Sequence, residues 1–251
     1  MSVTIKSERE IELMRKAGEI LARTHEELAA AIRPGMTTMD IDRLGEKIIR
    51  GFGCIPSFKN YNGYPASICV SVNDEVVHGI PSKHRYLEEG DIVSLDAGVI
   101  YKGYHSDAAR TVAVGTISPE AEKLIEVTRQ CFFEGMKYAK AGNHLNDISS
   151  AIQAYAESFG YGVVRDLVGH GIGTHLHEEP EVPNFAQKKK GIRLEPGMTL
   201  AVEPMINMGR PDVKWLDDDW TVKTEDGSLS AHYENTILIT DGEPEILSLR
   251  P

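Results

Sequence analysis

Apolar side chains recur at Ile11, Met14, Ala17, Ile20, Leu21 and Leu28, a three-and-four spacing that gathers them on one face of a helix. Ser7 followed three residues on by Glu10 reads as a capping box that starts this helix, and Pro34-Gly35 stops it. A second helix is predicted over residues 38–50. The pattern then changes. Between residues 66 and 77 apolar and β-branched residues alternate too closely for a helix, and "GDIVSLDAGVIYKGYHSDAARTVAVG" reads as successive strands with turns at Gly98 and Gly103. Ser118-Pro119 opens a helix running to about Tyr138, residues 145–159 form another, and strands return at 199–202 and 235–239.

Comparing the chain with itself exposes a repeat. "PGMTTMDI" from Pro34 and "AGNHLNDI" from Ala141 share Gly, Asp and Ile at an offset of 107 residues, Phe52-Gly53 matches Phe159-Gly160 at the same offset, and "LEEGDIVSLD" matches "LEPGMTLAVE" with their final carboxylates, Asp96 and Glu203, aligned. Two copies are too few for a solenoid, so the pattern predicts an α+β fold of two pseudo-symmetric halves, about 1–115 and 116–251, within one domain spanning 1–251. Each half supplies two helices packed on a mainly antiparallel sheet. Asp96 and Glu203 would then face each other across the approximate twofold.

The composition excludes several classes. With 27 Lys and Arg against 38 Asp and Glu, the formal charge of −11 repels nucleic acid and anionic membrane, and the one basic run, Lys188 to Lys190, reads as a solvated turn. Cys54, Cys69 and Cys131 are an odd count without close spacing, so neither a disulfide framework nor a CxxC zinc site is indicated. No segment approaches a membrane span and the N-terminus is charged at Lys6, Glu8, Arg9 and Glu10; a soluble, cytoplasmic protein is expected.

The candidate chemistry lies in acids placed where strands are otherwise apolar. Asp96 ends "DIVSLD", Glu203 ends "TLAVE", and Asp107 and Glu234 open the apolar runs "DAARTVAV" and "ENTILI". Four carboxylates at the buried ends of four strands cannot all ionise unless multivalent cations offset their repulsion. Two divalent ions and one imidazole would complete a mixed oxygen and nitrogen set. His170 is the best-placed imidazole. It lies in the stretch "GHGIGTHLHEEPEVP", whose His170, His175 and His177 are open to three readings: a metal cage, a phosphate-cradling loop or a crowded turn. The phosphate reading needs a helix start after the glycines, and "THLHEEPEVP" supplies none.

At these residues the sequence resembles the type I methionine aminopeptidases of the pita-bread superfamily, in five ordered blocks: "NGYPASICVSVNDEVVHGIP", "DIVSLDAGVIYKGYHSDAART", "VGHGIGTHLHEEPEVPNF", "LEPGMTLAVEPM" and "SAHYENTILIT". The resemblance implies five metal ligands, Asp96, Asp107, His170, Glu203 and Glu234, holding two ions of cobalt, manganese, iron(II) or zinc, with Asp107 and Glu234 bridging. It implies an activated water attacking the carbonyl after the initiator methionine, with Glu203 as proton acceptor, His177 on the oxyanion and His78 on the scissile amide or the next residue. Tyr61, Tyr64, Cys69 and Trp220 match positions near the methionine pocket, whereas Leu176 and Phe58 depart from residues often seen there. A weak monovalent-cation site near Asn73, Glu75 and Ser230 is also implied. So are nascent polypeptide N-termini as substrates, a monomer, transient ribosome contact, and a small second residue, which the chain's own Met1-Ser2 would satisfy. His175 is left as surface, and Glu178 and Glu179 as anchors of the loop. A proline-specific relative would share the metal ligands but add an N-terminal domain, and a non-catalytic pita-bread module would have lost ligands, none of which is missing here.

Overall fold

The computed structural model describes residues 3–250; Met1 and Ser2, and with them the expectation about the chain's own terminus, lie outside the described residues, as does Pro251. The capping box forms as the sequence predicts, the Ser7 amide donating to Glu10 Oε2 at 2.7 Å, and starts α1, Glu8–Ala31. Thr37 and Asp40 make the same reciprocal cap for α2, Thr38–Gly51. Ser118 with Pro119 at the first position opens α3, Pro119–Met136, and α4 follows at Leu145–Ser158.

One long hairpin, Ile92–Tyr101 and Tyr104–Ala113, centres the first half. Ile68–Val72 and the short Ile55–Pro56 pair with its first strand. α1 lies across this hairpin, and its apolar stripe, Ile20, Leu21 and Leu28, packs with Ile68, Val93 and Leu95 in one cluster. Leu28 is fully buried, so truncating it to Ala should cost roughly 2–5 kcal/mol. A second cluster places Leu124, Phe132, Ile148 and Ile152 of α3 and α4 against Leu200, Val202 and Ile206.

Two expectations change here. Gly98 is not a turn but the seventh residue of Ile92–Tyr101; a Cβ there would stand 2.6 Å from Ser57 Cβ and 3.0 Å from Phe58, so the missing side chain lets that segment close over the strand. Asp96 and Asp107 are not at strand ends either. They sit within the hairpin on a common face, because Asp96 opposes Ala109 while Asp107 opposes Gly98, two positions on.

In the second half Thr199–Val202 pairs antiparallel with Asn235–Leu238, and Met205–Asn207 pairs with Ser230–His232 in the same register. The two ladders are one hairpin interrupted at Glu203-Pro204 and Tyr233-Glu234. Gly169–Gly171, Glu178–Val182 and Glu245–Ile246 complete a five-stranded sheet on its outer part.

The two hairpins meet back to back about an approximate twofold. Ala109 and Glu234 exchange main-chain hydrogen bonds at 3.4 and 3.0 Å. To one side, Thr111 Oγ1 donates to His232 O at 2.9 Å and accepts from His232 N at 2.8 Å; to the other, Thr236 Oγ1 donates to Asp107 O at 2.9 Å and accepts from Asp107 N at 2.8 Å. Thr111 is thus the counterpart of Thr236, and Asp107 of His232.

Candidate metal centre

Each half brings acids to this seam. Asp107 and Glu234 are 4% and 2% exposed, His170 is 7% exposed, and Asp96 and Glu203 are half-buried. A carboxylate oxygen from each of Asp107 and Glu234 and a ring nitrogen of His170 all lie within 4.8 Å of one another. His170 Nε2 stands 3.9 Å from Asp107 Oδ2 and 3.7 Å from Glu203 Oε1. Asp96 faces the same cavity from the hairpin.

Desolvation and mutual repulsion set the electrostatics of the cluster. Burial pushes the Asp96 carboxyl up to about 7, with neighbouring Glu203 adding to the rise, and pushes Glu203 up to about 8. Burial and mutual repulsion raise Asp107 and Glu234 well above the carboxylate range. No Lys or Arg is among the described residues lining the cavity. The nearby Arg110 guanidinium instead donates to main-chain oxygens, including that of Glu234, and to Asn235 Oδ1.

Buried Asp96 Oδ1, Asp107 Oδ1 and Glu234 Oε1 meet no hydrogen-bond donor among the described residues. Such orphaned acceptors are costly unless something positive meets them. His170 is already prepared: its Nδ1 donates to Gly171 O at 2.9 Å, which leaves Nε2 bare as a ligand atom, and burial holds the ring neutral, lowering its pKa to about 3. Four oxygen donors and one imidazole fit a divalent transition metal.

Around the acids is a cavity of about 170 Å³. Tyr64 and Trp220 meet edge to face at 5.1 Å between ring centres, and Phe58, Cys69 and Leu176 add buried apolar wall. Trp220 arrives on the hairpin Val213–Trp215 and Val222–Thr224, with Asp218 Oδ1 accepting from the Trp220 and Thr221 amides at 2.9 and 2.7 Å. His177 is at the exposed mouth, its ring 4.1 Å from that of His170 and its Nδ1 2.7 Å from the Tyr61 hydroxyl.

His78 enters the cavity on a left-handed backbone, φ 60°, a conformation that costs free energy in a residue with a Cβ. It is held there by Gly79, where a Cβ would meet Val70 O at 2.3 Å; Gly79 O accepts from Val70 N at 3.0 Å and from the Tyr64 hydroxyl at 2.9 Å.

The chain belongs to metallopeptidase family M24. The sequence pattern of that family matches residues 12–241. Methionine aminopeptidase of Clostridium acetobutylicum is 58% identical over 98% of this chain and 99% of its own length. The crystal structure of methionine aminopeptidase from Thermotoga maritima superposes with a TM-score of 0.97 at 44% identity, covering 99% of this chain and 100% of that one. Xaa-Pro dipeptidase from Bacillus anthracis gives 0.79 at 28% identity, and the match covers 98% of this chain but 62% of that one. The M24 fold is the pita-bread fold that the resemblance implies, with the two pseudo-symmetric halves that the repeat predicts; the two methionine aminopeptidases are covered over nearly their full length, whereas the dipeptidase carries additional chain.

Sequence reasoning missed one lining residue of this cavity, Asn62, and one buried neighbour of its acids, His232. Asn62 sits in an ordinary turn sequence and gives no signal. His232 is 1% exposed, with Nε2 3.6 Å from Glu203 Oε2 and the ring nitrogens without hydrogen-bond partners among the described residues. It is the counterpart of Asp107, and its signal in the repeat is displaced by the hairpin that carries Trp220. His175 is exposed surface, and Glu178 anchors the loop as expected. Of the residues expected near a monovalent cation, Ser230 N donates to Asn73 O at 2.9 Å, while Glu75 accepts from Val72 N and the Asn73 side chain bonds Asp91 and Ile92.

Proposed function

We propose that this chain removes the N-terminal methionine from nascent proteins whose second residue is small. The observation that carries the reading is the set of four desolvated carboxylates and one imidazole with a bare Nε2, at the floor of a cavity walled by aromatic and apolar side chains. At about 170 Å³ the cavity is below the ~300–1,000 Å³ typical of drug-sized ligand pockets, which suits a single unbranched side chain such as a thioether.

Asp96, Asp107, His170, Glu203 and Glu234 would hold two divalent ions. Those ions would supply an acidified water and polarisation of the peptide carbonyl. Cobalt, manganese, iron(II) and zinc all suit the donor set. Glu203 takes the proton of the attacking water and passes it to the leaving amine. The Tyr61 hydroxyl, 2.7 Å from His177 Nδ1, would donate to it and so leave the His177 proton on Nε2, to be donated toward the developing oxyanion. His78, fixed by the Gly79 contacts and set 6.3 Å from Trp220 between ring centres, reaches the amide nitrogen or the second residue. Tyr64, Cys69 and Trp220 clasp the methionine.

A cytoplasmic monomer in transient contact with the ribosome fits this role; the three cysteines are free and buried, and no helix among the described residues is long and apolar enough to cross a membrane. The test is release of methionine from Met-Ala-Ser by chelated protein before and after adding cobalt or manganese. Restored release is expected, and no release under any metal overturns the reading.

A further inference from the structure

His177 stands on the loop between Gly169–Gly171 and Glu178–Val182, and the next residue along, Glu178, is bound from outside the loop. Glu178 Oε2 accepts from Lys6 Nζ at 2.7 Å and from Thr4 Oγ1 at 2.8 Å, while Oε1 accepts from the His175 amide at 3.1 Å. The Lys6 and Glu178 side chains are 5% and 10% exposed, which makes this a buried ion pair. The segment that carries Lys6 is itself fixed, because the Lys6 amide donates to Gly197 O at 2.8 Å.

The loop is shaped to let this pair pass beneath it. A Cβ on Gly173 would stand 2.6 Å from Lys6 Cε and 2.5 Å from Glu178 Oε1. Gly173 O accepts from the His105 amide at 2.8 Å, so the loop is held from the first half's hairpin as well. The exposed imidazole of His177 touches Tyr61 and His170 at its tip, and the loop that carries it is fixed at its base by the charge pair.

We propose that Lys6 is a positioning residue: through its ion pair with Glu178 it fixes the loop that aims His177 into the cavity. This rests on the reading of His177 as the oxyanion donor. Removing one partner of a buried pair leaves the other charge uncompensated, and the loop must then shift to hydrate it. A displacement of ~1 Å in a group that acts on the transition state lowers turnover by on the order of 10²-fold.

The experiment is a cycle on the metal-loaded enzyme with Met-Ala-Ser, using Lys6→Met, Glu178→Gln, His177→Ala and the double variant Lys6→Met/His177→Ala. Lys6→Met and Glu178→Gln are each expected to lower kcat by on the order of 10²-fold with KM little changed. In the His177→Ala background, Lys6→Met is expected to cost almost nothing more. In the metal-free protein, imidazole NMR signals of His177 should move in Lys6→Met and Glu178→Gln while those of His78 stay. Wild-type turnover in both single variants, an equal Lys6→Met loss with and without His177, or wild-type turnover in His177→Ala would each overturn the proposal. Only a wild-type protein that releases no methionine would overturn the peptidase reading itself.

Discussion

The two halves of this molecule share one hairpin plan and use it differently. In the first half the hairpin runs unbroken for ten residues on each side and presents Asp96 and Asp107 from a continuous ladder. In the second the same register is interrupted at Glu203-Pro204 and Tyr233-Glu234, so both acids sit where main-chain pairing lapses, and a further hairpin is inserted that carries Trp220. The first half supplies two acids from an unbroken hairpin, with His78 and the Tyr61, Tyr64 and Cys69 wall. The second supplies His170, His177, Glu203, Glu234 and the Trp220 wall, and most of the chemical variety. Interrupting a strand leaves a side chain free to be aimed, and the intact partner supplies the rigidity that aiming requires.

The largest expected effect tests whether the halves contribute equally to the centre. Asp107→Ala and Glu234→Ala should each lower turnover at least ~10³-fold, since loss of either leaves the remaining carboxylates without a complete cation site; retention of wild-type turnover by either would make the centre the property of one half. Trp220→Ala removes wall that only the second half possesses. It should raise KM for Met-Ala-Ser by roughly 10-fold or more with a smaller change in kcat, and an unchanged KM would remove Trp220 from the pocket.

A subtler effect appears in stability without metal. Asp96 and Glu203 have pKa values raised to about 7 and about 8, against about 4 in the unfolded chain. A raised carboxyl contributes stability that is lost as pH rises through its folded value. The half-buried His78 and the buried His170 and His232, lowered to about 4, about 3 and about 4, act in the opposite sense, but only below the imidazole range, where stability falls as pH falls. From about pH 7 to about pH 9 the acids act alone. Thermal melts of chelated protein should show Tm falling across that window, and metal-loaded protein should hold its Tm. The smallest effect concerns the seam: Thr111→Val and Thr236→Val each strand a buried amide and carbonyl and should each cost about 1–3 kcal/mol in denaturant unfolding, with a large inequality breaking the equivalence of the halves.

Much of this was legible in the sequence where local signals act alone. The caps at Ser7 and Ser118, the helix periodicities and the offset shared by Asp96 and Glu203 carry into the structure directly. What was not legible depends on partners distant in the chain. Gly98 reads as a turn because glycine usually marks one, yet here it admits Ser57 and Phe58 across the sheet. The pairing of Asp107 with His232 was hidden because equivalent positions differ by 107 residues on the first strands, Asp96 to Glu203, but by 125 on the second, Ala109 to Glu234, the difference of 18 being additional chain that includes the inserted hairpin. The service of Glu178 as an anchor was readable, but Lys6 as its partner was not, since 172 residues separate them.

The central claim is that acids from both halves hold two cations at the seam. Anomalous diffraction from crystals grown with manganese tests it most directly. Two peaks among Asp96, Asp107, His170, Glu203 and Glu234, with Asp107 and Glu234 touching both, are the predicted result. A single ion bound by one half, or no ion among these five residues at saturating manganese, would contradict it.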